Sequence, residues 1–296
     1  MTALASSKHY ALTLALTILY NPSLMTCIDL KITDLILDMD GVLWRGETPM
    51  PGLVDFFDTL NQLGVDYVLA TNNATKTAEM YANRLAGFGV EISKELILNS
   101  AEATARYLRH NFPKGETAYI IGEKGLFQAM TDQGFHILNG ESFVGSDARA
   151  EFVVVGFTRY VCYPQLASAA YLINNGAQFI GTNPDVSIPT EHGPLPGAGS
   201  LLAYLEAATG QTPLVIGKPN LPLFQEALHL LGNNPQTTAI VGDRLATDIA
   251  GGHAAGLKTI LLLSGITREK DVQSSSIHPD CIMNDINELA AFLTAQ

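Results

Sequence analysis

The sequence predicts an α/β protein: a doubly wound, Rossmann-like parallel sheet with a second α/β unit inserted into it. Three observations predict this. Apolar runs of strand length alternate with helix-period segments near both ends of the chain. Several runs stop at a polar or charged residue, as strands do when their carboxyl ends open onto a crevice. The stretch between Thr71 and Lys218 is far longer than one crossover needs, and it carries its own strand–helix alternation.

The chain opens on an apolar run over residues 11–20, preceded by Lys8 and His9. It is too short to span a bilayer. It meets the signal-peptide pattern poorly, with one early lysine and no convincing small-residue cleavage site. Residues 1–30 are expected to be an extension, with Met25 as the natural start.

Leu35-Ile36-Leu37 reads as a buried strand ending in Asp38-Met39-Asp40-Gly41. Side chains alternate along a strand, so two acids one position apart leave its end in similar directions. Crowded carboxylates repel, and a site needing a nucleophile, a proton carrier and a metal ligand accounts for the arrangement. The plain alternative is an acidic turn after an edge strand. Further core strands are expected at 67–70, 214–216, 238–241 and 259–263. Helices are expected at Leu53–Leu63, 77–88, 221–231 and 247–255.

Thr71-Asn72-Asn73 follows the second strand. A hydroxyl, amides and backbone N–H groups at a strand-to-helix junction suit a phosphate oxygen, and equally suit a helix cap and polar turn. The inserted unit is expected over 107–212. It holds two β-α-β-like units, one beginning at Ala118 and one at Phe152. Residues 193–197, Gly-Pro-Leu-Pro-Gly, read as a loop returning to the core. The core then comprises 31–106 and 213–296.

Lys218 follows an apolar run and Gly217, with Pro219 blocking immediate helix entry. A loop lysine is usually solvated; near an anionic transition state it would contribute strongly. The run at 238–241 ends in Gly242 and Asp243. Asp243 is placed to join Asp38 on a hard cation such as Mg²⁺. Asp248 opens the next helix, where it would orient a metal-bound water or Lys218, or serve only the helix N-terminus.

The 296 residues are 47% hydrophobic and 16% charged, so a packed core is expected and disorder is not. A net charge of -12 excludes a general nucleic-acid binder, which needs a basic stripe. Cys27, Cys162 and Cys281 lie far apart without a CxxC pair. They predict neither a disulfide framework nor a zinc site, but buried small side chains in a reducing, cytoplasmic setting.

Taken in order, Asp38-Met-Asp-Gly-Val-Leu-Trp44, Thr71-Asn-Asn-Ala-Thr75, Thr182-Asn-Pro-Asp185, Pro196-Gly-Ala-Gly-Ser200, Gly217-Lys-Pro219 and Gly242-Asp-Arg-Leu-Ala-Thr-Asp-Ile249 resemble the haloacid-dehalogenase-like (HAD) phosphatase superfamily. The nearer resemblance is to its subclass IIA, the NagD-like and p-nitrophenylphosphatase-like enzymes. It runs from about Lys31 to the C-terminus; Ala74 departs from the serine many members carry. The resemblance implies a phosphoric monoester hydrolase with an inserted cap of the C2a type. It implies Asp38 as nucleophile and Asp40 as acid/base. It implies Mg²⁺ held by Asp38, the Asp40 carbonyl and Asp243. Thr71 and Asn72 would hold phosphoryl oxygens, with Lys218 neutralising charge and Asn73 assisting or shaping the turn. Trp44 would seal the site or pack beneath the cap.

The expected substrate is a small phosphorylated metabolite, with no nucleic-acid or membrane partner and a homodimer through the cap. Two other readings stay open: a phosphotransferase or phosphomutase using the same aspartyl-phosphate, and a non-catalytic binding protein on the same fold.

Overall fold

The structure, a computed structural model, describes residue 27 and residues 30–140, 142–190 and 192–296. The apolar run at 11–20 and Met25 lie outside the described residues. Among the described residues no helix is long and apolar enough to cross a membrane.

Six parallel strands form the core sheet, in the order Cys281–Met283, Lys258–Leu262, Thr238–Gly242, Asp34–Leu37, Asp66–Thr71, Ile97–Asn99. Asp34–Leu37 sits at the centre. Leu37 is in register with Val241 on one side and Leu69 on the other. That register brings Asp38, the Thr71 turn and Asp243 to the same carboxyl edge. All four residues of the central strand are buried, which is why three of them, Leu35, Ile36 and Leu37, are apolar.

Alternation sends Leu35 and Leu37 to one face and Ile36 to the other. The first face packs on helices Leu53–Leu63 and Ile286–Thr294. In Leu53–Leu63 the buried residues are Leu53, Phe56, Phe57 and Leu60, the spacing of one helical face. Gly64 ends that helix in the left-handed conformation (φ 66°).

The second face is shared. Ile36, Val68 and Ile240 belong to one apolar layer with Ile120, Phe152, Val154 and Ile180 of a second sheet. Helices Ser100–Asn111, Lys124–Asp132 and Leu221–Leu230 fill the space between. The second sheet is also all parallel, in the order Leu214–Val215, Gln178–Gly181, Phe152–Val155, Thr117–Ile121, His136–Ile137. A Rossmann-like core thus carries an α/β cap.

Several expectations need correction. The strand expected at 214–216 is Leu214–Val215, and it pairs with Gln178–Gly181 in the second sheet rather than in the core. An apolar run signals burial but not which sheet buries it. The core sheet is completed instead by Ile97–Asn99 and Cys281–Met283, three residues each, too short to stand out as runs. Residues 193–197 are not simply a loop: Gly193–Pro196 pairs antiparallel with Ser187–Thr190. The helix expected at 247–255 is a π-helical turn, Leu245–Ile249, followed by Ala250–Ala254.

The cysteines also differ from expectation. Cys27 and Cys281 form a disulfide with Cα atoms 5.2 Å apart, and Cys162 is exposed with a free thiol. The partners are 254 positions apart, so only the fold, placing the edge strand beside residue 27, reveals the pair. The cytoplasmic expectation rested partly on reduced cysteines, and this bond removes that support.

Candidate active site

A crevice of about 630 Å³ opens over the carboxyl edge of the core sheet. Asp38, Asp40, Thr71, Asn72, Asn73, Lys218, Asp243 and Asp248 all line it. The structure therefore brings every sequence-predicted site residue together.

Lys218 is the hub. Its buried ammonium donates to Asp38 Oδ1 at 2.5 Å and to the Ala70 carbonyl at 3.2 Å. It makes a charge contact with Asp248 Oδ1 at 2.8 Å. Burial alone would lower the lysine pKa, but the Asp248 and Asp38 carboxylates outweigh it and hold the ammonium protonated. This loop lysine is not solvated: it is 2% exposed. Asp248 meets Lys218, one of the three roles expected for it.

Asp38, Asp243 and Asp248 each offer a carboxylate oxygen within 4.8 Å of the others. Burial pushes the Asp38 carboxyl up to about 8; Lys218 opposes the rise, and Asp248 and Asp243 add to it. Asp243 is also raised, by burial and then by Asp248. Asp243 Oδ2 accepts the Ile266 N–H at 2.6 Å, whereas its buried Oδ1 has no hydrogen-bond partner among the described residues. Three crowded acids with one orphaned oxygen form an all-oxygen donor set that fits a hard divalent cation. Gly41 (φ +92°) and Gly265 make room: a Cβ on either would collide with the Asp243 carboxylate.

Asp40 is exposed to the crevice, and its Oδ1 accepts the Trp44 indole N–H at 2.8 Å. Trp44 neither lines the crevice nor packs under the cap. It is fully buried, stacked on Tyr81 with ring centroids 6.3 Å apart, with the Arg84 guanidinium 4.4 Å from its centroid. Its indole is thus a rigid mount for the acid.

On the other side, Asn72 Nδ2 donates to the Lys218 carbonyl at 2.9 Å and to Asp185 Oδ2 at 3.2 Å. Asn183 Nδ2 donates to the Asn72 carbonyl at 2.8 Å. Thr182-Asn-Pro-Asp185 therefore couples the cap to the Thr71-Asn72-Asn73 turn. Asn73 Oδ1 accepts from Thr75 N and Oγ1 at 3.0 and 2.7 Å, which ties that side chain to the turn. His253 is exposed, with Nε2 3.1 Å from Thr259 Oγ1.

The sequence reading missed the arginines. Arg45, Arg159, Arg244 and Arg268 all reach the crevice. Arg45 binds the Ser264 carbonyl and Arg159 pairs with Glu123 at 2.8 Å. Two sat beside motif residues, Trp44 and Asp243, and that adjacency was the available signal.

The chain matches the "Haloacid dehalogenase-like hydrolase" family over residues 35–136 and a second HAD-hydrolase-like family over 215–289. It is 37% identical over 258 residues to an acid sugar phosphatase of Staphylococcus aureus (strain USA300), covering 87% of this chain and 96% of that protein. Among solved structures, 4-nitrophenylphosphatase from Thermotoga maritima superposes with a TM-score of 0.80 at 33% identity, covering 88% of this chain and 97% of that one. NagD from E. coli K-12 does so with a TM-score of 0.78 at 36% identity, covering 88% and 98%. With the acid pair, the lysine and the second acid motif meeting in one crevice beneath an α/β cap, the chain belongs to the haloacid-dehalogenase-like hydrolases, in their NagD-like phosphatase subgroup.

Proposed function

We propose that this phosphatase hydrolyses the phosphomonoester of a small metabolite, a sugar phosphate in first place, through an aspartyl-phosphate on Asp38. The observation that carries the reading is the Lys218 ammonium 2.5 Å from Asp38, beside Asp243 at the end of the adjacent strand. The names of the relatives, a sugar phosphatase and a nitrophenylphosphatase, support the substrate class.

An Asp38 oxygen forms a bond to phosphorus as the ester P–O bond breaks, and Asp40 gives its proton to the departing alcohol. Water then attacks the same phosphorus and passes a proton back to Asp40. The Asp38–phosphorus bond breaks, releasing inorganic phosphate. Thr71 and Asn72 position the phosphoryl oxygens, and Lys218 stabilises their growing charge. Asp38, the Asp40 carbonyl and Asp243 would hold a Mg²⁺ ion, which would supply positive charge between the nucleophile and the dianionic substrate.

The test is a product balance with Asp38→Asn as control. Free phosphate should appear in step with ester loss across a panel of sugar phosphates, and the folded variant should be inactive. Ester phosphate conserved in total while substrate disappears would point to transfer instead. Wild-type turnover by Asp38→Asn would remove the nucleophile.

A further inference from the structure

Among the described residues a second group of ligating side chains lies outside the crevice: His110, Glu226 and His229. His110 is in the last turn of helix Ser100–Asn111. Glu226 and His229 are one turn apart on helix Leu221–Leu230, with His229 in its last turn. His110 Nδ1 is 3.1 Å from Glu226 Oε1, and His229 Nδ1 is 3.8 Å from the same oxygen. The two rings meet edge to face with centroids 5.5 Å apart.

Three physical facts make this arrangement attractive to a cation. Glu226 is 2% exposed, and among the described residues no lysine or arginine pairs with it; its partners are the two imidazoles. Among the described residues only these two rings are placed to offset the cost of burying that carboxylate. Both histidines sit in the last turns of their helices, so the negative ends of two helix dipoles converge there. The spacing also suits a metal. Bonds of about 2.05 Å at tetrahedral angles set neighbouring ligand atoms ~3.3 Å apart, and the two observed separations bracket that value.

We propose that His110, Glu226 and His229 form a Zn²⁺-type site, with two imidazole nitrogens, one carboxylate oxygen and water in the fourth position. Two imidazoles select such a borderline ion over Mg²⁺, which favours all-oxygen sites. The histidines are about half exposed, at 52% and 49% of their side chains, so the ion has a path from solvent and room for its water. The site is structural. It clamps two of the helices packed between the core and cap sheets, whose Leu108, Phe224 and Ala227 belong to the shared apolar layer.

The experiment uses Co²⁺ as a spectroscopic stand-in, added to the whole protein in excess Mg²⁺ so that the all-oxygen crevice is occupied. One equivalent should give the intense visible bands of four-coordinate Co²⁺, and Zn²⁺ should bleach them. His110→Ala and His229→Gln should lose the bands while keeping wild-type phosphatase activity and circular dichroism. Zn²⁺ should raise the Tm of the wild type and leave both variants unmoved. A wild-type Co²⁺ spectrum no stronger than that of the double variant His110→Ala/His229→Gln would overturn the proposal. So would an equal Zn²⁺ effect on the Tm of wild type and double variant.

Discussion

Lys218 and Asp38 lie 180 positions apart in the chain and meet at 2.5 Å, with Asp248 2.8 Å from the same ammonium. One cation therefore fixes Asp38, the proposed nucleophile, and compensates two buried carboxylates. Lys218→Met would leave both acids unpaired. Breaking a buried pair from one side costs on the order of 3–5 kcal/mol. Removing charge stabilisation from the transition state costs about 10²–10³ in kcat. Steady-state kinetics and urea unfolding should show both losses in the same variant. Near-normal turnover in a destabilised protein would reduce Lys218 to a structural role.

The Asp38 shift predicts how metal and proton compete. An unfolded Asp titrates near pH ~3.9, whereas Asp38 in the fold is pushed up to about 8 by burial. Between those limits the metal-free native state binds the extra proton, so its stability falls as pH rises through that window. A divalent cation takes the proton's place. The rise in Tm on adding Mg²⁺ should therefore be larger near pH ~8 than near pH ~5, with apparent affinity tightening in parallel. Thermal melts across pH check this; a Mg²⁺ effect flat with pH would contradict it.

Trp44 holds Asp40, the proposed proton carrier, through its indole N–H, 2.8 Å from Asp40 Oδ1. Trp44→Phe keeps the aromatic contact with Tyr81 and loses that hydrogen bond, at a stability cost of about 1 kcal/mol. Alkyl phosphates need a proton on the leaving oxygen, whereas nitrophenolate does not. The variant should lose more kcat on a sugar phosphate than on p-nitrophenyl phosphate. Equal losses on both would mean the indole does not act through Asp40.

The Cys27–Cys281 disulfide predicts a thiol count. The chain has three cysteines, of which Cys162 is the exposed free one. Unfolded without reductant, the protein should titrate a single thiol, and three after reduction. Three without reduction would contradict the bond.

Much of the core and site was legible because chemistry and burial coincide there. Asp34–Leu37 and Thr238–Gly242 are buried throughout, so residues 35–37 and 239–241 read as apolar runs, and each strand is followed by an acid that the buried register makes conspicuous. The Leu214–Val215 strand was legible as a strand and not as part of the cap, because pairing partners are a property of the fold. Ile97–Asn99 was hidden by its length, although Asn99 also caps the next helix by accepting from Ala101 N and Glu102 N. The arginines were hidden because long side chains reach the crevice from loops with no periodicity. Glu226 belongs to no motif, and only the packing of Leu221–Leu230 shows that it is buried.

The central claim is the covalent role of Asp38, and trapping tests it most directly. In Asp40→Asn, p-nitrophenyl phosphate should still phosphorylate Asp38, because nitrophenolate leaves without a proton, while slow water attack lets the intermediate build up. Quenching with borohydride and reading the peptide by mass spectrometry should show homoserine at position 38 after a burst of nitrophenolate. Continued nitrophenolate release with position 38 recovered only as unmodified aspartate would contradict the account.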